Sequence, residues 1–144
     1  FLAFLTGTLW PELTRRVALR EDARGIAGHS LGALVGLHAL FRRQPFFNRL
    51  LASAPSLWWD NRAPICDAQQ LQRTGVALPA RLFLCVGEND TPFLAASDYM
   101  ASKIPGAKKA VIPNAGHAAN IDNPAAFNAA LTGFLEDAGL FEAA

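Results

Sequence analysis

The chain has 144 residues, 51% apolar and 17% charged, with 13 basic against 12 acidic side chains and a formal charge of +1. A length near ~150 residues is that of one domain, able to bury roughly two-thirds of its unfolded surface, so the expectation is a single globular domain over 1–144 and not a disordered tail or a fibre. The near-equal charges give no single-sign field to draw in nucleic acid or an anionic membrane.

The opening run Phe1–Trp10 is apolar but meets Pro11 and Glu12, too soon to span a bilayer, and it lacks the positive flank of a signal peptide. The first residue is Phe1 and not methionine, which is expected of a fragment or a processed product. Leu2, Leu5, Leu9, Leu13 and Val17 recur at spacings of three and four, one face of a helix, which Pro11 is expected to kink. Arg24–His29 is a short strand candidate. Leu31, Leu34, Val35, His38 and Phe41 predict a second helix, with Arg42-Arg43 at its negative dipole end and Gln44-Pro45 closing it. Arg49–Ala54 predicts a second strand, followed by a loop with Pro55 and Trp58-Trp59.

Residues 60–79 show no clear pattern. Ala80–Gly87 is a near-continuous apolar run ending at glycine, a buried strand. Thr91-Pro92 reads as a helix start, with threonine as cap, and Phe93, Ala96, Met100 and Ile104 follow at helical spacing. Lys108–Pro113 is a fourth strand candidate. Asn123-Pro124 starts a last helix carrying Phe127, Leu131, Phe134 and Leu135. Strands alternating with helices imply an α/β protein with a parallel sheet of about four strands and helices on both faces. In such sheets ligands bind outside the carboxyl ends of the strands, so the residues that follow each strand carry the functional reading.

After the first strand stands Gly28-His29-Ser30-Leu31-Gly32, a G-x-S-x-G between a strand and an amphipathic helix. This pattern suits a sharp turn that lifts a serine hydroxyl clear of the sheet, its glycines leaving room for neighbouring backbone. The helix that follows offers the Leu31 N–H and a positive dipole end to an oxyanion. A nucleophilic serine needs a base, and the base needs an orienting acid. His117 follows the fourth strand at the same sheet edge. His38 lies within a helix as a packing residue, and His29 lies inside the elbow, pointing differently from Ser30. Asp90 follows the third strand just before the helix cap and is the expected acid, with Glu88 as the alternative. His29, Trp58 and Trp59 are candidates to line a substrate pocket, with core packing the equal alternative for the tryptophans.

Cys66 and Cys85 are too few for a disulfide scaffold and lack CxxC spacing. They are expected as free thiols in a reducing, cytoplasmic compartment, with a single bridge as the alternative. Cys85 falls in the buried strand and should be inert. No side-chain cluster has metal spacing and no glycine-rich phosphate loop occurs, so neither a metal nor a cofactor is expected.

The order Ser30, Asp90, His117 is that of the α/β-hydrolase superfamily, which the chain resembles in two stretches. Residues 1–88, with GHSLGALVGLHALF and ASAPSLWWDN, resemble the esterase family that includes the enterochelin (siderophore) esterases. Residues 86–138, with VGENDTPF and KKAVIPNAGHAANIDNPAAFNAALTGFL, resemble lactonase- and carboxylesterase-type hydrolases such as 3-oxoadipate enol-lactonase. The resemblance implies a serine hydrolase acting on small-molecule carboxylic esters through an acyl-serine. Lactonase or thioesterase chemistry with the same triad is one alternative. A catalytically impaired half-hydrolase serving as a binding module is another. It also implies that the chain is the carboxyl-terminal half of the fold, without the strands and the oxyanion loop that precede in the superfamily. One missing oxyanion donor would slow the reaction by about 10²–10³. An uncovered edge at the strand bearing Ser30 is expected, and a homodimer would cover it and lend a donor in trans.

Overall fold

The computed structural model describes residues 1–42, 45–75 and 77–139. Within them the chain forms the expected parallel sheet, β1 (Gly25–His29), β2 (Arg49–Ser53), β3 (Arg81–Gly87) and β4 (Lys108–Ile112), in sequence order across the sheet. The register pairs His29 with Ser53, Ser53 with Cys85, and Gly87 with Ile112. All strands therefore end at one edge, and Ser30, Ser56, Asp90 and His117 follow there.

Strands laid down in order, joined by right-handed crossovers, put their linking helices on the same face. This is observed. α3 (Leu31–Leu40), α4 (Trp59–Thr74) and α5 (Thr91–Lys103) share one apolar cluster, in which Ala33, Leu37, Ala68 and Met100 pack on Leu50, Ala52, Leu82 and Leu84. The opposite face is covered by α7 (Pro124–Asp137), whose Phe134 stacks on Phe83 at 5.0 Å beside Cys85 and Ile112. Successive residues of β3 thus feed different cores, and for this reason its sequence is a continuous apolar run. The Asn123 side chain caps α7 by accepting from the Ala126 N–H at 3.2 Å, as its place before Pro124 leads one to expect.

The opening helix differs from its expectation. α1 (Leu2–Phe4) passes into a π-helical stretch, Leu5–Leu9, and then into α2 (Trp10–Arg16), with Pro11 in the first turn of α2. Proline has no N–H to bond the preceding turn, and the wider turn before it takes up the mismatch where a kink is expected. Its leucine face is not core: Leu9, Leu13 and Val17 are exposed. Residues 60–79 include a helix that the pattern conceals. Asp60, Asn61 and Arg62 have left-handed backbone, so regular helix begins beyond them, with Pro64 in its first turn. Ile65, Ala68 and Leu71 form its buried or half-buried stripe. Arg43 and Gln44, read as part of a helix end, lie outside the described residues.

Both cysteines are free, Cys66 exposed and Cys85 buried. Burial pushes the Cys85 thiol up to about 11, so it is protonated near neutrality. Among the described residues no helix is long and apolar enough to cross a membrane. Leu84 is fully buried in β3, an interior strand. Leu84→Ala should cost about 2–5 kcal/mol through lost burial and a residual cavity, read as a lower midpoint in urea unfolding.

Candidate active site

Ser30 occupies the turn between β1 and α3 with φ 54° and ψ −118°, a conformation an L residue adopts only when its surroundings enforce it. Part of that enforcement is the approach of helix to strand. A Cβ on Gly28 would fall 2.4 Å from the Gly32 carbonyl oxygen, so no side chain fits there. Gly32 is different from expectation: a Cβ added to it would meet nothing within 4 Å. Only the first glycine of the pattern is sterically required by this packing. Beyond the strand ends, the Ser30 N–H donates to the Ser53 carbonyl at 2.9 Å and the Ala54 N–H to the Cys85 carbonyl at 2.7 Å, so the ladder continues into the loops.

The end of β3 meets the loop after β4 even more closely. A Cβ on Gly87 would lie 2.1 Å from the Gly116 oxygen and 2.3 Å from that of Ala115. Glu88 N–H donates to Ile112 O at 2.9 Å and Asn89 N–H to Ala115 O at 2.8 Å. The Glu88 carboxylate accepts from the Asn114 N–H at 2.9 Å, and Asp122 accepts from the Gly116 N–H at 2.7 Å. Asn123 closes the loop by donating to Pro113 O at 2.9 Å.

These contacts aim three side chains at one another. His117 Nδ1 lies 2.8 Å from Asp90 Oδ2, and His117 Nε2 lies 3.1 Å from Ser30 Oγ. The side chain of Asp90 is 7% exposed and that of His117 42%. Asp90, and not Thr91, stands at the N-cap of α5, yet its side chain makes no capping bond and turns to His117 instead. Glu88, the alternative acid, is committed to the Asn114 backbone. His117 packs against two rings, Phe93 at 4.5 Å and His29 at 4.7 Å between centroids. His38 is exposed beside Arg42, on the surface and not in the core.

The tryptophans part company. Trp58, 61% exposed, lines a groove of about 560 Å³ with Leu57, Arg62, Ile65, Phe93 and Tyr99. Trp59 faces a separate depression with Leu34 and His38. Phe93 joins the groove to the His117 ring, a role with no sequence signal beyond helical spacing. Ser56 also escapes sequence reading: it is 1% exposed, and its Oγ lies 3.1 Å from Ser30 Oγ. Among the described residues no group of three or more His, Cys, Asp and Glu is placed to hold a metal ion.

Loss of hydration against its neighbours lowers the pKa of His29 below its ordinary 6.5; the His117 ring adds to the shift and Asp90 opposes it. The folded chain thus holds this proton less tightly than the unfolded chain does. The stability contribution is full above 6.5 and is lost as pH falls below it. Urea midpoints should therefore drop from pH 7 to pH 5, and His29→Gln should flatten that drop, modestly because the ring is largely exposed to solvent.

A model of the family described as "Putative esterase" matches residues 1–132, running through both stretches of the resemblance. A siderophore enterobactin esterase of Emericella nidulans is 36% identical over 72 residues, which is 49% of this chain and 24% of that protein. A siderophore triacetylfusarinine C esterase of Aspergillus fumigatus is 36% identical over 77 residues, 51% of this chain and 26% of that protein. The chain spans about a quarter of the length of these relatives. Among solved structures, the siderophore hydrolase EstB of Aspergillus nidulans aligns with TM-score 0.67 and 20% identity over 99% of this chain and 58% of its own. The BES protein of Bacillus cereus aligns with TM-score 0.72 and 19% identity over 90% and 52%. The sheet and crossovers are those of the α/β-hydrolase superfamily, and within it the chain belongs to the "Putative esterase" family.

Proposed function

We propose that this chain carries the catalytic residues of a serine hydrolase that cleaves small-molecule carboxylic esters. The observation that carries this reading is the chain of contacts from Asp90 Oδ2 to His117 to Ser30 Oγ, at 2.8 and 3.1 Å. Ser30 attacks the ester carbonyl while His117 Nε2 takes its proton. The Leu31 N–H, first amide of α3, stabilises the oxyanion. His117 returns the proton to the leaving alkoxide. It then activates the water that releases the acyl group from Ser30. Asp90 keeps the Nδ1–H tautomer and offsets the charge of the imidazolium.

The groove beside Phe93 and Trp58 is the proposed acyl site, apolar and aromatic with Arg62 and Gln69 as its polar members. The names of the relatives make siderophore esters the first natural substrates to assay. Lactones and thioesters fall within the same chemistry, and substrate profiling separates them.

The direct test is hydrolysis of p-nitrophenyl acetate. Ser30→Ala should abolish the enzyme-dependent rate, and equal rates for variant and parent would remove Ser30 as nucleophile. A fluorophosphonate should label Ser30; folded protein that resists labelling would favour a non-catalytic binding module. Asp90→Asn should lower kcat by about 10³–10⁴ through the wrong imidazole tautomer. Glu88→Gln, which only weakens a loop contact, should cost less than about 10-fold. The reverse ranking would make Glu88 the acid. Trp58→Ala should raise KM by roughly 10-fold for an aromatic acyl ester and leave the acetate ester nearly unchanged.

A further inference from the structure

We infer that Ser56 is a further catalytic residue: its hydroxyl donates to Ser30 Oγ and stabilises that oxygen when it departs from the acyl-enzyme. The inference rests on the serine-hydrolase reading above and extends it to a group outside the triad.

The direction of this bond follows from the others. An ionised Asp90 only accepts, so His117 Nδ1 bears the hydrogen in their 2.8 Å contact. Nε2 is then bare and accepts from the Ser30 O–H at 3.1 Å. With its one hydrogen so used, Ser30 Oγ can only accept from Ser56 across the remaining 3.1 Å. The bonds form a single one-way series, from the Ser56 O–H through Ser30 and His117 to the Asp90 carboxylate.

Ser56 is built for this task. It is 1% exposed, so water is not available to replace Ser30 as its partner. Its own N–H donates to the Ser30 carbonyl at 3.3 Å, and its carbonyl accepts from the Trp59 N–H at 3.0 Å. Two bonds thus tie this one residue to the nucleophile. Ala54, two residues earlier and just past the end of β2, has a positive φ of 41°.

In the free enzyme, donation from Ser56 holds the Ser30 rotamer and also draws charge from the nucleophile, so its net help to acylation is small. Deacylation is different. The tetrahedral intermediate collapses, the Oγ–C bond breaks, its electron pair moves onto Oγ, and His117 Nε2–H supplies the proton. Charge grows on Oγ in this step, and a donor fixed there is worth more in the transition state than in the acyl-enzyme. The Ser56 proton is not transferred.

Ser56→Ala should therefore slow deacylation more than acylation. With p-nitrophenyl acetate, kcat should fall roughly 10-fold and KM should fall with it, so kcat/KM nearly holds. Acylated Ser30 should accumulate in rapid-quench mass spectrometry. Ser56→Cys, similar in volume but a weak donor, should fall between variant and parent, and its folding checks the case in which alanine disturbs the loop. Unchanged kcat in Ser56→Ala would overturn the inference. So would kcat and kcat/KM falling together without added acyl-enzyme, the signature of a loop that only misplaces Ser30. A parent with no Ser30-dependent turnover would overturn the hydrolase reading itself, and a result confined to Ser56→Ala would not touch it.

Discussion

No side chain fits between the end of β3 and the loop that carries His117. The space a Cβ would need at Gly87 is filled by the backbone of Ala115 and Gly116. This contact decides the rest of the site. Because the two loops touch, Asn89 can bond Ala115 and Glu88 can bond Asn114, and the imidazole is brought down onto Asp90 at the end of the neighbouring strand. A bulkier residue at Gly87 would hold the loops apart by more than a hydrogen bond tolerates, whatever the identities of Asp90 and His117.

Around that contact the polar groups are graded by access to water. Ser56 and Asp90 are nearly sealed, while His117 is part exposed and Ser30 is half-buried; Phe93, against the His117 ring, lines the Trp58 groove. In a dry setting a hydrogen bond has no competing solvent and its geometry is kept. On the proposed function, the sealed residues orient and the more open ones meet the substrate. The rings of Phe93 and His29 pack against the imidazole, whose nitrogens face Asp90 and Ser30.

Much of this was legible because the fold repeats one rule. Short strand candidates such as Arg24–His29 and the apolar run Ala80–Gly87 alternated with helical patterns, and chemistry was sought after each strand end. Ser30, Asp90 and His117 came from that rule and stand within hydrogen-bond reach of one another. What escaped had no local pattern. Residues 60–79 showed no clear pattern, and the helix there begins behind three left-handed residues with Pro64 in its first turn. Thr91 had the chemistry of a cap, yet Asp90 took the position and spent its carboxylate elsewhere. Ser56 is an ordinary serine in sequence, and only its burial against Ser30 distinguishes it. The opening leucines have helical spacing, but periodicity alone does not show whether a face meets a core.

The strand order also bears on how the molecule assembles. Each strand pairs with the next in sequence, so every sheet pairing closes only one crossover, and the sheet can grow by successive additions. The Ser30–His117 bond is of another kind. It joins residues 87 apart and needs all four strands in register before its partners meet. By this topology it forms late, and a partly assembled chain has a sheet in which Ser30 and His117 have not yet met. On the proposed function, reactivity at Ser30 would therefore report that all four strands are in place, which helix content does not.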